Sequence, residues 1–154
     1  ESESIEFIRQ KFNPVQFGLI KAHITLCRED EITNIEAVQG NLRKLTMETF
    51  ALETGKASRF SKGKGVYITM LDREGLFRRL RNEVLHDINS RTRAHEAHIS
   101  QILPRNSSCT DVTFEEITNI QLPPRLSITK ISLIEQEIGK EWRILEEYHL
   151  SMTG

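Results

Sequence analysis

Cysteine is scarce in these 154 residues. There are two, Cys27 and Cys109, and neither belongs to a Cys-x-x-Cys pair. That excludes a disulfide framework, argues against structural zinc, and suits a reducing, cytoplasmic compartment. Long apolar runs are also missing. No stretch approaches the ~18 consecutive apolar residues of a membrane span, so no membrane partner is expected. The chain opens Glu-Ser-Glu-Ser, with neither an initiator methionine nor the basic and apolar regions of a secretory signal. An excess of one charge is lacking too: 21 Lys and Arg face 22 Asp and Glu, −1 in all, which excludes a general pull toward nucleic acid. What remains, 38% apolar and 28% charged residues, is neither a disordered nor a membrane composition. The length fits one domain, 1–154, with enough residues to bury a core.

Charge is uneven along the chain. Lys56 to Arg81 holds eight basic residues against Asp72 and Glu74, whereas Asp111 to Tyr148 holds eight acids against four bases. A local basic run can attract a phosphate ligand, although a solvated face is an equally good use of it.

Apolar spacing predicts a helix over 4–12, with Ile5, Ile8 and Phe12 on one face and Pro14 ending it. His23–Cys27 alternates and reads as a strand. A second helix is expected over 34–46, capped by Thr33 with Glu36 completing a capping box. Thr49–Thr54 and Gly65–Leu71 read as consecutive strands, joined by a loop rich in Lys, Ser and Gly. A helix over 74–87 turns Leu76, Leu80 and Leu85 inward. A polar loop at 88–94 leads to a strand at Ala97–Leu103, stopped by Pro104. After a second polar loop at 105–112 comes a short helix at about 113–120, starting from Thr113 with Glu116 as its box partner. Leu126–Glu135 and Trp142–Leu150 read as a last strand pair.

The order repeats. Each half runs helix, a strand carrying His-x-Thr or His-x-Ser, helix, strand, strand, and the two histidines, His23 and His98, lie 75 residues apart. The expected fold is therefore α+β and bilobal. Two pseudo-symmetric lobes, each an antiparallel sheet backed by helices, would flank a central cleft.

Residues i and i+2 of a strand share a face, so His23 projects with Thr25 and His98 with Ser100. Lobes related by a pseudo-two-fold axis bring two imidazoles and two hydroxyls to one cleft. That set suits transfer at phosphorus. A neutral His takes a proton from the attacking oxygen, a protonated His gives one to the departing oxygen, and the hydroxyls hold the non-bridging oxygens. No metal or cofactor is needed. A third match, His149-Leu150-Ser151, ends the last strand with no unit after it and reads as an exposed terminal histidine.

His23-Ile24-Thr25-Leu26 and His98-Ile99-Ser100, one in each half, resemble the two signature motifs of the 2H phosphoesterase superfamily, which includes the 2′-5′ RNA ligase-like proteins and cyclic nucleotide phosphodiesterases. The resemblance covers nearly the whole chain. It implies a bilobal α+β fold and a metal-independent enzyme, hydrolase or ligase, acting on 2′,3′-cyclic phosphate or 2′-5′ phosphodiester groups of RNA or nucleotides. His23 and His98 are then the acid–base pair, and Thr25 and Ser100 the phosphate-binding hydroxyls. The alternative is an inactive module of the same fold that binds a phosphate or an RNA end. A monomer is expected. Gln101 stands where the family carries an apolar residue, and the given sequence starts at the helix that follows the family's usual first strand.

Further candidates surround this set. Arg28 and Arg105 follow the motifs and are placed to neutralise phosphate charge, though solvated strand-end arginines are commoner. Lys62 and Lys64 suit an RNA backbone or a solvated hairpin tip. Phe60 and Tyr67 suit base stacking, with core packing the commoner use of Phe60. Trp142 is expected in the core and Cys27 as an inert, packed thiol. His95-Glu96-Ala97-His98 lacks the i,i+4 spacing of a metalloprotease box, and His86-Asp87 lacks the all-helical setting of a metal-dependent phosphohydrolase.

Overall fold

The structure, a computed structural model, describes residues 2–88 and 94–152. Helix α1 (Glu3–Phe12) buries Ile5 and Ile8 completely. Each such side chain contributes about 1.5–3 kcal/mol relative to exposure. Pro14 does end α1, but it also opens α2 (Pro14–Leu19), which the spacing did not predict. Proline lacks the N–H that a first helical position leaves unpaired, so it starts a helix as readily as it stops one. Helix α3 (Ile35–Arg43) begins one residue later than expected. Asn34, not Thr33, is its cap, with Oδ1 accepting from the Ala37 amide at 3.1 Å, and no Thr33–Glu36 box forms. Helix α4 (Leu76–Val84) is closed at its start by the Asp72 carboxylate, which accepts from the amides of Phe77 and Arg78 at 3.1 and 3.0 Å. It buries Phe77, Leu80, Arg81 and Val84, and Leu85 is buried just past its end. Helix α5 (Asp111–Thr118) is capped by Thr110 instead of Thr113; the Thr110 hydroxyl accepts from the Thr113 amide at 3.1 Å.

Strands β1 (Phe50–Phe60), β2 (Gly65–Leu71), β3 (His98–Ile102) and β4 (Arg125–Ile128) form an antiparallel sheet in the order β3-β2-β1-β4. Strands β5 (Lys130–Glu135) and β6 (Arg143–His149) form a second, two-stranded sheet. The α+β, two-sheet expectation is met, with unequal sheets, and the larger one takes strands from both halves of the chain.

Three strand boundaries differ from the sequence reading. The loop expected over Gly55–Gly65 shrinks to a turn, because β1 continues to Phe60. A bulge between Thr54 and Ala57 contains Gly55, where a Cβ would stand 2.7 Å from the Thr69 carbonyl oxygen, so glycine allows the close approach of β2. The expected strand Leu126–Glu135 divides at Thr129, its first part joining β1 and its second pairing with β6. His23–Cys27 forms no strand; a single antiparallel bridge, Ile24 to Ile99, joins it to β3. Most of the polar loop expected at 88–94 lies outside the described residues. The principal core packs Ile5, Val38, Leu42, Leu52, Ile68, Leu80 and Ile99 between the helices and the larger sheet. Trp142 belongs to neither core cluster, contrary to expectation. It is half-buried, and its amide donates to the Leu19 carbonyl at 3.1 Å.

Candidate active site

The Ile24–Ile99 bridge decides how the two motifs meet. Residue numbers across an antiparallel pair sum to a constant, so this register sets His23 across from Ser100 and Thr25 across from His98. Opposed residues share a face. Ile99 is buried in the core with Ile24 packed against it, so the four motif side chains occupy the other face. β2 extends that face, because Tyr67 pairs with Ser100 and Thr69 with His98. One row reads Thr25, His98, Thr69 and the next His23, Ser100, Tyr67. Thr69 escaped the sequence reading, although the alternation of Gly65–Leu71 puts it beside Tyr67.

His23 and His98 are oriented alike. His23 Nδ1 bonds the Lys21 carbonyl and His98 Nδ1 the Glu96 carbonyl, each at 2.9 Å. A carbonyl only accepts, so Nδ1 carries the hydrogen in both rings and Nε2 is left for another partner. The His23 side chain is exposed, yet partial desolvation by neighbouring atoms is the largest cause of a pKa below the ordinary 6.5, against the opposing pull of the Lys21 carbonyl; the nearby charges of Arg9 and His98 push it the same way as desolvation.

Side chains hold the first motif where a strand ladder does not. Arg9, almost wholly buried on α1, donates to the Ile20 carbonyl and to Glu6 Oε1, both at 2.6 Å. Glu6 Oε1 also accepts from the Ala22 amide at 2.7 Å. Beyond the motif, Arg81 of α4 donates to the Leu26 carbonyl at 2.9 Å and pairs with buried Glu31, which accepts in turn from the Arg28 amide at 3.0 Å. Between these anchors His95 Nε2 bonds the Thr25 carbonyl at 2.7 Å. The i,i+3 pair Glu6 and Arg9 is visible in the sequence, but its use as a clamp on residues 20–22 is not.

A line of rings crosses the face. Phe60 lies 5.8 Å from Tyr67, Tyr67 5.8 Å from His98, and His98 5.8 Å from His95, centroid to centroid. Phe60 belongs to neither core cluster, so its commoner use does not apply here. Arg28, Lys62, Lys64 and Arg105 are exposed, and among the described residues they make no hydrogen bond or ion pair with the four motif residues. Lys62 sits in the left-handed β1–β2 turn with φ 56°, at the end of the strands that carry Phe60 and Tyr67. Half of the basic run is neutralised: Arg59 pairs with Asp111, Arg73 with Glu53, Arg79 with Glu83 and Arg81 with Glu31. His149 is exposed on β6, as its terminal position suggested.

Gln101, the departure from the family pattern, is buried, and it is the extra residue of a bulge: Ser100 pairs with Tyr67 and Ile102 with the adjacent Val66. The bulge absorbs the polar residue while Ser100 keeps its place on the outer face. Two concavities of about 800 and 620 Å³ lie elsewhere, around Thr46, Arg79 and Arg125 and around Lys44, Arg78 and His86, and neither includes a motif residue.

No protein-family model matches the chain, and no curated protein matches it significantly. Solved structures do. E. coli LigT complexed with NADP+ superimposes with a TM-score of 0.65 at 16% identity, covering 97% of this chain and 90% of that one. LigT complexed with 3′-AMP gives 0.58 at 14% identity, covering 94% and 92%. A crystallised phosphoesterase gives 0.58 at 14% identity, covering 95% and 93%. Identities this low speak for the fold and not for the activity. The chain has a LigT-like α+β fold, in keeping with the fold expected from its paired His-x-Thr and His-x-Ser motifs.

Proposed function

We propose that the chain, as one unit over 1–154, is a metal-independent 2H-type phosphodiesterase or RNA ligase-like enzyme for 2′,3′-cyclic phosphate or 2′-5′ phosphodiester groups of RNA or nucleotides. One observation carries this reading. The Ile24–Ile99 register gathers His23, Thr25, His98 and Ser100 on one face, and among the described residues both imidazoles there keep Nε2 uncommitted.

In hydrolysis of a 2′,3′-cyclic phosphate, His23 Nε2 takes the proton of a water as its oxygen bonds to phosphorus. One bridging P–O bond breaks, and His98 Nε2–H protonates the departing ribose oxygen. The lowered pKa of His23 keeps it neutral near pH 7, which suits the base, and in ligation a ribose hydroxyl of a second strand takes the place of the water. Thr25 and Ser100 donate to the non-bridging oxygens, where negative charge accumulates. The complexes of LigT with NADP+ and 3′-AMP support a ligand of the nucleotide class. Half-buried Cys27 and buried Cys109, both free, suit a reducing, cytoplasmic setting.

Phosphorus NMR of 2′,3′-cyclic AMP in chelator near neutral pH, beside a His98→Ala control, tests the proposal. Ring opening by the parent and not by the variant is the expected result, and the product isomer identifies the bond that breaks. If neither opens the ring while inorganic phosphate still binds the histidine face, the chain is a phosphate-binding module of this fold.

A further inference from the structure

We propose that His95 is a positioning residue that holds the two motifs in register. The inference rests on the phosphodiesterase reading and extends it to a side chain outside both motifs. A single backbone bridge pins residues 23–25 to β3, too little to fix Thr25 opposite His98 against slippage. His95, three residues before His98, supplies a second tie, because its Nε2 meets the Thr25 carbonyl at 2.7 Å. The carbonyl only accepts, so His95 carries its hydrogen on Nε2, the tautomer opposite to that of His23 and His98.

The ring itself is fixed on both sides. It stacks on Phe77 of α4 at 6.2 Å with planes 25° apart, and it contacts the His98 ring at 5.8 Å. One imidazole thus ties the carbonyl of a phosphate-binding residue to the ring of an acid–base residue and seats both on α4. The charged and titratable groups that face it are Arg81 on α4, His98 on β3 and Glu31 in the turn after the first motif. Desolvation, foremost, lowers the His95 pKa, so the ring is neutral near pH 7 and adds no charge between Arg81 and His98.

Two substitutions separate the hydrogen bond from the packing. His95→Phe keeps a ring on Phe77 and loses the donor, while His95→Gln offers an amide donor to the Thr25 carbonyl. With 2′,3′-cyclic AMP as substrate, His95→Phe is expected to lower kcat about 10- to 100-fold with KM little changed, and His95→Gln to recover most of that loss. The melting temperatures of both should stay near that of the parent. Equal kcat in His95→Phe and parent, or no recovery in His95→Gln, overturns the proposal. If the parent itself has no activity, the phosphodiesterase reading fails separately, and imidazole nitrogen NMR decides the positioning role. Movement of the His98 ring and Thr25 backbone resonances in His95→Phe but not in His95→Gln supports it, and unmoved resonances overturn it.

Discussion

His23 and His98 make the same local hydrogen bond, each donating from Nδ1 to the carbonyl two residues earlier at 2.9 Å. The bond fixes ring orientation and leaves Nε2 for proton transfer. Asparagine at position 98 can keep the Nδ1-like donor and has no atom in place of Nε2. We predict that His98→Asn lowers kcat by about 10²- to 10⁴-fold and leaves the melting temperature near that of the parent. A loss under about tenfold, measured on 2′,3′-cyclic AMP, would remove His98 from proton transfer.

Arg81 and Glu31 form a nearly sealed ion pair, with side-chain exposures of 6% and 2%. Removing one partner strands the other charge in the core, at a cost of about 3–5 kcal/mol. Arg81→Met should therefore destabilise the chain by that amount in urea unfolding and free the Leu26 carbonyl that Arg81 holds. Arg81→Met combined with Glu31→Leu should regain most of the stability, because no unpaired charge remains. A double variant as unstable as the single one would mean that the tie to Leu26, and not charge burial, dominates.

Acid should weaken the fold through His23 and His95. His23 and His95 both have folded-state pKa values below the ordinary 6.5, chiefly through desolvation. As pH falls through 6.5 the unfolded chain takes up protons first, so stability present above 6.5 declines toward the lower folded values. The melting temperature should drop between roughly pH 7 and pH 5. His95→Gln should flatten part of that slope; an unchanged slope would assign it to other groups.

Cys27 should be unreactive in the folded protein. Burial raises its thiol to about 11; the Arg81 charge opposes that rise and the Glu31 charge adds to it. Little thiolate exists at pH 8. Alkylation by iodoacetamide, followed by mass spectrometry, should label Cys27 slowly until denaturant is added. Rapid labelling of the native chain would contradict this environment.

The legible parts of this protein are those that short-range patterns control. The period-two run Gly65–Leu71 coincides with β2, and the apolar faces of α1, α3 and α4 follow from helical spacing. Caps were harder to place, since Thr33 and Asn34 are adjacent and equally capable, and backbone geometry chose Asn34. The Lys-, Ser- and Gly-rich stretch read as a loop because its composition suits turns. Pairing with β2 on one side of β1 nevertheless extends the strand to Phe60. His23–Cys27 alternates like a strand, yet side chains from Arg9, Glu6, His95 and Arg81 satisfy backbone groups around it that a ladder would have paired.

By itself, the order of residues determined that His23 goes with Thr25 and His98 with Ser100, each pair backed by an isoleucine that seeks the core. Alternation along a chain is local, so it needs no partner to be read. Tertiary structure alone decided that Ile24 meets Ile99, that Tyr67 and Thr69 complete the face, and that His95 reaches Thr25 across 70 positions. Those contacts join distant segments, and which of many alternative pairings forms depends on burying the whole core at once.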